Sequence, residues 1–415
     1  MDKIVVQWRN FGPYHIVRLN ALWQKQRQSG IEVVGLETAS RTATYLWDEH
    51  EGPTQFQRRT LFPGRQFQDL PTNLIRDSVT RELNSLNPIA VCISGYTSSD
   101  AIACLTWCRR HKRSAILMSD SHLYSRTRRL SQEWIKSHLV RLYDAALCAG
   151  KPHKEYLESM GMKPDQISVG YDVVENDYFW ERVQKIRKNR IPPDDYPNIK
   201  KAWPFFLCVS RLVPKKNIHS LIEAYAIYRQ MTRGDKSNPP WHLVIVGDGQ
   251  LRPELEQIVR DKCIPGVVFT GFQQIHQLVA YYACAMALVH PAIEEEWGLV
   301  VNEAMASGLP VLVSHSVGCC RDLVIDGQNG WSFNPTAIDQ IADLMSRMHM
   351  LPDKYCNRMG EKSREIIAKW NIDAFVTGLI TALNNSYQRT KARSKISDSF
   401  AGLLLQIALP LFIPK

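Results

Sequence analysis

The sequence predicts an α/β protein with two Rossmann-like, doubly wound domains that face each other across a cleft. Short apolar runs alternate with helix-like stretches along most of the chain, and near-continuous apolar strands separated by helices are typical of a parallel sheet covered on both faces. The alternation is interrupted by a polar, proline-containing stretch and then restarts. A length of 415 residues suits two or three domains of roughly 150 residues each.

The first domain is expected to span residues 1–180. Its first strand is KIVVQW (3–8), and its first helix (15–30) ends at Gly30, a residue type that stops helices readily because it adopts left-handed backbone angles. Four further apolar runs predict strands at 31–37, 88–95, 114–120 and 144–150.

Residues 181–203 are basic and contain several prolines, which is typical of a linker between domains. The alternation resumes over residues 204–370, the second domain. Strands are predicted at 205–210, 242–249, 267–271, 285–291, 310–314 and 330–333, and helices at 217–231, 251–261, 274–283 and 299–307. Doubly wound sheets bind ligands at the carboxyl ends of their strands, so we expect the functional site in the cleft between the domains.

The net charge of +10 is compatible with nucleic acid or an anionic membrane as a partner. The excess is dispersed, however, at about +4 over residues 1–180, +4 over 181–203, −2 over 204–388 and +4 over 389–415. Clustered basic and aromatic residues do not share one element, as they do in nucleic-acid-binding modules. The sequence therefore argues against a nucleic acid partner.

The ten cysteines mostly lie in apolar runs such as FFLCVS (205–210), which indicates buried thiols in a reducing compartment. Cys104 and Cys108 have no second Cys/His pair at zinc-binding spacing, so we expect no metal site. Met1 leads directly into a strand instead of a secretory signal, and no run reaches the ~18 apolar residues of a spanning helix. These features predict a cytoplasmic protein.

The segment EEEWGLVVNEAMASGLPV (294–311) follows an apolar strand and carries carboxylates on both sides of a predicted helix start. Gly298 allows a sharp turn into that helix, whose free N–H groups attract anions such as phosphate. Glu295 in the loop and Glu303 in the helix would accept hydrogen bonds from hydroxyls. A ligand that has a phosphate between two groups bearing hydroxyls fits this arrangement, and a nucleotide-sugar is such a ligand. Acidic residues near a helix start also complement its dipole, but Glu303 lies too far along the helix for that.

The segment SRLVPKKN (210–217) follows the first strand of the second domain. Arg211 and Lys216 therefore lie at the carboxyl edge of the same sheet, where two cations can hold a diphosphate and neutralise it as it leaves. A solvated basic loop is the alternative interpretation, and this segment alone does not distinguish the two.

Together these segments resemble the retaining nucleotide-sugar glycosyltransferases of the GT-B fold, a group that includes the glycogen synthases and phosphatidylinositol mannosyltransferases. VSRLVPKKN (209–217), LVIVGDGQLRPEL (243–255) and GCCRDLVIDGQNGWSF (318–333) match family motifs in the expected order, and the two glutamates described above form the ends of the family's E-x7-E motif. The resemblance is strong over residues 205–335 and loose over the first domain.

The resemblance implies that the first domain lies on the acceptor side and that the second domain binds the nucleotide-sugar. It also implies a role for each matching residue of the second domain. Arg211 and Lys216 bind the donor diphosphate and take part in catalysis. Glu295 contacts hydroxyls of the transferred sugar, and Glu303 binds the ribose hydroxyls of the nucleotide. The family also implies retention of the anomeric configuration, with neither a metal ion nor another cofactor.

Further contacts are implied for main-chain amides and for the first domain. The amides of Gly298 and Leu299 cap the sugar or phosphate. The loop RNFGPYH (9–15) offers Gly12 where the family usually has paired glycines. His122 follows a middle strand and matches a histidine that the family places near the sugar, although a lone histidine is as often structural. Three nearby arginines either touch an anionic acceptor or are solvated, and we favour solvation; they are Arg126, Arg128 and Arg129.

The C-terminal part is expected to form a helix that crosses back to the first domain (371–388) and a tail (389–415). The tail begins with alternating basic residues and continues with mostly apolar ones, a layout suited to an anionic membrane surface. Packing against its own domain and disorder are equally compatible with this composition.

We therefore predict an enzyme that moves a sugar from a UDP- or GDP-sugar to a sugar or lipid-linked acceptor, in the assembly of a surface polysaccharide or glycolipid. It is expected in the cytoplasm, with peripheral contact to the inner face of the membrane. One alternative is a GT-B relative with other chemistry, such as a sugar-nucleotide epimerase or phosphorylase, which the basic and acidic residues above argue against. The other is a non-catalytic nucleotide-sugar-binding or scaffold protein, which donor hydrolysis by the purified protein would distinguish.

Overall fold

A computed structural model describes residues 1–43, 53–124, 130–188, 197–234 and 237–391. The described chain divides into two units. The first unit combines Met1–Leu123, the described part of Thr127–Val173 and the segment that begins at Ile372. The second consists mainly of Val174–Asn371. Each unit contains its own parallel sheet and hydrophobic core.

The first unit is built on a parallel sheet that has seven strands within the described residues. They are β1 (Asp2–Trp8), β2 (Ile31–Arg41), β3 (Gln57–Gln66), β4 (Ala90–Ser94), β5 (Ser114–Ser119), β6 (Ala145–Cys148) and β7 (Ile167–Val169). Their order across the sheet is β3-β2-β1-β4-β5-β6-β7. The central strands are buried along nearly their whole length, as the near-continuous apolar runs predicted.

Five helices before residue 174 of the described chain accompany this sheet: α1 (Pro13–Gln26), α2 (Thr72–Leu86), α3 (Ser99–Arg110), α4 (Leu130–Val140) and α5 (Lys151–Ser159). A short 3-10 turn follows α1 and ends at Gly30, whose φ of 69° is left-handed. That backbone stops the helix where the sequence predicted it to stop.

The second unit contains a parallel sheet of six strands among the residues described. They are β8 (Phe205–Val209), β9 (His242–Val246), β10 (Val267–Gly271), β11 (Ala287–His290), β12 (Val311–Ser314) and β13 (Gly330–Phe333), in the order β10-β9-β8-β11-β12-β13. The helices of this unit are α6 (Asn176–Lys188), α7 (Pro197–Ala202), α8 (Ile218–Met231), α9 (Arg252–Asp261), α10 (Ile275–Cys284), α11 (Leu299–Ala306), α12 (Cys320–Leu323), α13 (Ile338–His349) and α14 (Asp353–Ile367). The two parallel sheets confirm the predicted α/β fold class.

The chain enters the second unit between Val173 and Val174, earlier than the boundary expected at residue 180. The stretch expected to be a linker contains most of α6 and all of α7. Phe179 and Val183 of α6 are buried, and the guanidinium of Arg187 donates to a carbonyl at the carboxyl end of α10, 3.0 Å away. Four basic residues of this stretch therefore belong to an amphipathic helix that packs within the second unit; they are Arg182, Lys185, Arg187 and Lys188.

The last described helix, α15 (Ile372–Lys391), returns the chain to the first unit. Its side chains Phe375, Leu379 and Ala382 are buried, and the helix contacts β5, β6 and β7. Among the described residues, the helical stretch Asp353–Thr390 is long and apolar enough, by length and composition alone, to cross a membrane. The α15 part of this stretch packs against the first sheet.

The strand β3 was not predicted because its sequence, QRRTLFPGRQ, is polar. It lies at the edge of the sheet and pairs with β2 on one side. An edge strand pairs with a neighbour along one side only, so it tolerates a proline such as Pro63, which has no backbone N–H. Apolar patterning therefore misses an edge strand whose sequence is polar, such as β3.

Candidate functional site

The strand order of the second sheet places two loops next to each other. The succession of strands changes direction between β8 and β11, which are hydrogen-bonded neighbours. The loops that leave the carboxyl ends of two such strands diverge and leave a crevice, which is the usual ligand position in a doubly wound sheet. We name residues 210–217, after β8, the basic loop, and residues 291–298, after β11, the acidic loop.

Hydrogen bonds join the two loops directly. The N–H of Ile293 donates to the carbonyl of Lys215 (3.0 Å). Asn217, whose left-handed backbone (φ 58°) ends the basic loop, donates through its side-chain amide to the carbonyl of Pro291 (3.2 Å). The loops therefore form one hydrogen-bonded assembly, which holds their side chains in a fixed relation.

The turn after β9 supports the basic loop from another side. Gly247 has a φ of 137°, and a side-chain carbon at this position would collide with the carbonyl of Ser210. The N–H of Leu212 donates to the carbonyl of Asp248 (2.9 Å). The glycine thus permits two backbones to come close together, and the GDG turn of the sequence serves to position the basic loop.

Lys216, Glu295 and His290 meet where the two loops join. The ammonium of Lys216 forms an ion pair with the Glu295 carboxylate, and the same carboxylate oxygen lies 3.3 Å from Nε2 of His290. The exposed fraction of the side chain is 9% for Lys216, 14% for Glu295 and 1% for His290. Farther outward, Lys215 pairs with Glu296 at 3.4 Å, and both side chains remain partly exposed.

The charges of this cluster depend on one another. Burial and the nearby Lys216 charge lower the pKa of His290 to about 3. His290 is therefore neutral at physiological pH, and its neutral ring binds the carboxylate as the tautomer that carries its proton on Nε2. Burial and the charges of Lys215 and Arg211 lower the pKa of Lys216, whereas the nearby charge of Glu296 raises it. The direct contact with Glu295 also favours the charged form of Lys216.

The acidic loop enters α11 at Gly298, whose φ of 98° is left-handed. This backbone confirms the sharp turn predicted at that position, and Leu299 becomes the first residue of the helix. The loop is fastened on its far side because the N–H of Gly318 donates to the carbonyl of Glu295 (3.2 Å). The motif GCC, which the sequence offered as a family match, thus holds the acidic loop in place.

Glu303 lies within α11 and is buried, with 3% of the residue exposed. Its carboxylate accepts a hydrogen bond of 2.7 Å from the hydroxyl of Tyr282 in α10. Tyr282 is fully buried, and its ring packs edge-on against Phe179 of α6 at 6.0 Å between ring centroids. A buried carboxylate is costly without a hydrogen-bond donor, and Tyr282 supplies one.

The loop that holds Gly12 follows β1 in the first unit. The N–H of Gly12 donates to Nδ1 of His15 (2.8 Å), and the N–H of Phe11 donates to the Glu37 carboxylate (3.0 Å). Burial and the Arg18 charge lower the pKa of His15 to about 3, so its neutral ring is an acceptor at physiological pH. To contact the nucleotide-sugar, the N–H of Gly12 would have to give up its hydrogen bond to His15. That contact stays a prediction.

His122 follows β5 and is buried, with 2% of the residue exposed. Its ring packs edge-on against His153, with 5.1 Å between the ring centroids. These contacts are compatible with a structural histidine, and its catalytic role stays a prediction. The nearby arginines of the sequence analysis, Arg126, Arg128 and Arg129, lie outside the described residues.

The structure brings Lys216 and Glu295 into contact and places Arg211 in the same loop, close enough to lower the pKa of Lys216. Two polar residues of this region were not predicted from the sequence, His290 and Tyr282. His290 carried a weak signal, because it ends an otherwise apolar strand just before three glutamates. The hydroxyl of Tyr282 in a mostly apolar helix carried none.

The chemistry of the assembly follows from its groups. The cations of the basic loop suit an anion with several oxygens, such as a diphosphate. The carboxylates of Glu295 and Glu303 accept hydrogen bonds and suit hydroxyl groups. Within the described part of the chain, no three His, Cys, Asp or Glu side chains come together as a candidate metal site.

Comparison with known proteins agrees with this chemistry. Residues 194–366 match the family model for "Glycosyl transferases group 1", a region that contains both loops and Glu303. The alpha-D-kanosaminyltransferase of Streptomyces kanamyceticus is 26% identical over 274 residues, which are 64% of this chain and 66% of that protein. The GDP-mannose-dependent alpha-(1-6)-phosphatidylinositol monomannoside mannosyltransferase of Mycobacterium tuberculosis is 29% identical over 185 residues, 42% of this chain and 46% of that protein. The chain thus spans about half to two thirds of the length of these relatives.

Similar solved structures extend over more of the chain. Anabaena HepE, in complex with UDP and glucose, superposes with a TM-score of 0.70 at 16% identity and covers 92% of this chain and 100% of that one. Sucrose-phosphate synthase from Thermosynechococcus elongatus gives a TM-score of 0.70 at 18% identity, with 95% and 100% coverage. At these identities the likeness establishes a shared fold.

Proposed function

Residues 194–366 match the group 1 glycosyl transferases and the chain has the GT-B fold. From that premise we propose that the chain belongs to this family and transfers a sugar from a nucleoside-diphosphate-sugar to an acceptor. The observation that carries the proposal is the contact between Lys216 and Glu295 where the two loops join. This contact sets a cation suited to phosphate beside a carboxylate suited to sugar hydroxyls. The match to the family model supports the same assignment.

In this proposal each side chain of the site takes one part of the donor. Arg211 and Lys216 bind the diphosphate through charge-assisted hydrogen bonds. Glu295 accepts hydrogen bonds from hydroxyls of the transferred sugar. Glu303, held by Tyr282, accepts hydrogen bonds from the ribose. The donor is a UDP- or GDP-sugar, nucleotides that occur in the names of the similar proteins.

Transfer occurs with retention of configuration at the anomeric carbon. The acceptor hydroxyl oxygen bonds to that carbon on the face from which the diphosphate departs. The bond between the anomeric carbon and the diphosphate oxygen breaks, its electron pair stays on that oxygen, and the diphosphate takes the proton of the acceptor. The cations of the basic loop and the amides of Gly298 and Leu299 stabilise the developing negative charge. Because fixed groups supply this stabilisation, we propose that no metal ion is needed.

The acceptor is a sugar or lipid-linked sugar of a surface polysaccharide or glycolipid. The mycobacterial relative is named for a phosphatidylinositol monomannoside, and the sequence from Arg389 onward joins basic residues to an apolar stretch. Arg389 itself pairs with Asp165 of the first unit at 2.6 Å, and residues 392–415 lie outside the described part. We propose a cytoplasmic protein that contacts the inner face of the membrane. Co-sedimentation with phosphatidylglycerol vesicles tests this contact, which should weaken as salt is raised.

The activity is tested by incubating the purified chain with UDP-glucose, UDP-galactose, GDP-mannose or ADP-glucose, with and without a bacterial lipid extract as acceptor. We expect one UDP- or GDP-sugar to be consumed and its nucleoside diphosphate to be released, at a rate that excess EDTA leaves unchanged. Binding of a nucleotide-sugar without any turnover would contradict the enzyme and favour a non-catalytic binding protein.

The stereochemistry is tested by following the anomeric proton of the product by NMR. We expect the configuration that the sugar had in the donor. The opposite configuration would contradict retention, and activity that EDTA abolishes and Mg²⁺ restores would contradict a metal-independent reaction.

A further inference from the structure

The ion pair between Lys216 and Glu295 joins two groups that, in the proposed function, bind different parts of the nucleotide-sugar. This inference rests on that proposed function. Lys216 is assigned to the diphosphate and Glu295 to the sugar. In the structure they contact each other. A diphosphate that approaches Lys216 therefore meets the Glu295 carboxylate, and the two anions compete for one ammonium group.

We propose that Glu295 is an internal counter-ion that competes with the nucleoside diphosphate for Lys216, so that the site prefers the nucleotide-sugar to the nucleoside diphosphate left after transfer. When the whole donor binds, the sugar hydroxyls give the displaced carboxylate new hydrogen-bond donors. When the nucleoside diphosphate binds alone, the carboxylate has lost Lys216 and gains no hydroxyl. The missing compensation lowers the affinity for the product and promotes its release.

The surroundings of Glu295 keep the carboxylate within reach of Lys216. The N–H of Gly318 binds its backbone carbonyl, and the neutral ring of His290 faces its side chain. The backbones of the two loops are also joined through the carbonyl of Lys215. Both charges are largely shielded from solvent, where an ion pair is less screened than at the surface. The carboxylate is therefore a strong competitor for the ammonium group.

Glu296 provides a matched control for the charge of Glu295. It lies one residue further along the acidic loop, carries the same charge and pairs with Lys215 at 3.4 Å, with both side chains partly exposed. Glu296→Gln removes one negative charge from the same loop and leaves the pair between Lys216 and Glu295 intact. It therefore measures how much any loss of charge in this loop changes the affinity for a diphosphate.

The test is isothermal titration calorimetry of the full chain with UDP, GDP, UDP-glucose and GDP-mannose. Glu295→Gln should bind the nucleoside diphosphate roughly tenfold more tightly than the native chain, since a partly buried charge pair is no longer broken. Its affinity for the matching nucleotide-sugar should stay equal or fall. Glu295→Ala should likewise bind the nucleoside diphosphate more tightly than the native chain, with an equal or weaker affinity for the nucleotide-sugar. A melting curve for each variant shows that it is folded. Uridine and guanosine lack phosphate, so their affinities should not change.

Two further variants identify Lys216 as the group for which Glu295 competes. In a Lys216→Gln background, Glu295→Gln should no longer tighten binding of the diphosphate. Glu296→Gln should change that affinity by less than about threefold, as expected for an exposed pair. An equal gain in Glu296→Gln, or a gain that persists without Lys216, would contradict the proposed competition.

The failure of this inference is distinct from the failure of the proposed function. If the native chain binds none of the four ligands, the proposed function and this inference are both wrong. If it binds a nucleotide-sugar but neither Glu295 variant gains affinity for the nucleoside diphosphate, this inference alone is wrong.

Discussion

The two adjacent lysines of the basic loop have different surroundings. Lys216 is nearly enclosed and contacts Glu295, whereas Lys215 keeps 30% of its side chain exposed beside Glu296. Solvent screens the charge of Lys215 and leaves that of Lys216 effective. A site that binds phosphate through this loop should therefore depend on the two lysines unequally.

We expect Lys216→Ala to lower kcat/KM for the nucleotide-sugar by about 10²-fold, since removing one charge-assisted contact to a leaving group costs about 3 kcal/mol. Lys215→Ala should lower it by less than about threefold. Initial rates at low donor concentration measure both effects, with a melting curve for each variant. Equal losses in the two variants would show that the loop acts only through its overall charge.

His290 makes the stability of the second unit depend on pH. Its folded pKa of about 3 lies below the ordinary value of about 6.5, so the unfolded chain takes up a proton that the folded chain does not. Stability present above pH 6.5 is therefore lost as the pH falls toward 3, by at most ~1.4 kcal/mol per pH unit for one such histidine.

We expect the native chain to lose its stability advantage over His290→Gln as the pH is lowered from 7 to 5, because glutamine can keep the contact with Glu295 but does not titrate. Urea unfolding at pH 7, 6 and 5, followed at the transition of the second unit, measures the difference in free energy of unfolding. His276→Gln, at an exposed histidine of the second unit, is the control. A difference in free energy of unfolding between the native chain and His290→Gln that is the same at all three pH values would contradict a pH-dependent contribution of His290 to stability.

The sequence predicted the charged residues of the site better than their uncharged neighbours. Arg211, Lys216 and Glu295 stand out because charges next to apolar strands need an explanation. His290 and Tyr282 sit inside apolar segments, where a ring fits the core pattern equally well. Which atom such a ring faces is decided by packing between segments far apart in sequence, and no local pattern records it.

At the level of elements, three helices of the second unit lead to Glu303. The side chain of Phe179 in α6 packs against Tyr282 in α10, and the hydroxyl of Tyr282 binds Glu303 in α11. Arg187 of α6 also donates to the carbonyl of Ala283, at the end of α10. The helix that follows the chain's entry into this unit therefore helps to fix the carboxylate assigned to the ribose.

We expect Tyr282→Phe to raise the KM for the nucleotide-sugar several-fold with a small change in kcat. The reason is that the Glu303 carboxylate loses the hydrogen bond from the Tyr282 hydroxyl while its own charge remains. The cost in stability should be about 1 kcal/mol, the usual value for one buried hydrogen bond. Tyr281→Phe, at the neighbouring buried tyrosine, should leave the KM unchanged. A similar rise in KM for both variants would indicate a general effect on α10 and not the bond to Glu303.

Elements with an apolar face were predictable, whereas the polar elements β3 and α6 were not. The central strand β8 is a run of five buried residues and was predicted almost to its ends. The edge strand β3 and the basic helix α6 were not, since β3 is mostly unburied and α6 buries only a narrow stripe. Polar composition there reflects one solvated side, which looks like a loop when the sequence is considered alone.

At the level of the whole molecule, the long segment that forms most of the second unit begins at Val174 and ends at Asn371. The four side chains assigned to the donor all lie between these points; they are Arg211, Lys216, Glu295 and Glu303. The core of the second unit is formed by its own residues. Sequence composition pointed to two domains, but their boundary depends on which core α6 joins, and that required the structure.

We expect a fragment of residues 174–371 to fold and to bind the donor with a Kd within about threefold of that of the full chain, a difference below 1 kcal/mol. Its core is self-contained, and the helix α15, which packs on the first unit, is left out. Circular dichroism establishes folding, and calorimetry with the nucleotide-sugar measures the affinity. The fragment should transfer no sugar, since it lacks the first unit, which the family resemblance assigns to the acceptor.

Glu303→Ala in the same fragment is the control, because it should lose donor binding although the fold persists. The comparison also decides the role of the first unit, where Gly12 and His122 were predicted to reach the donor. Their polar groups lie within contacts of that unit, such as the bond from Gly12 to His15 and the packing of His122 on His153. A folded fragment that binds the donor far more weakly than the full chain would mean that these contacts open on binding, and that donor affinity is shared between the units.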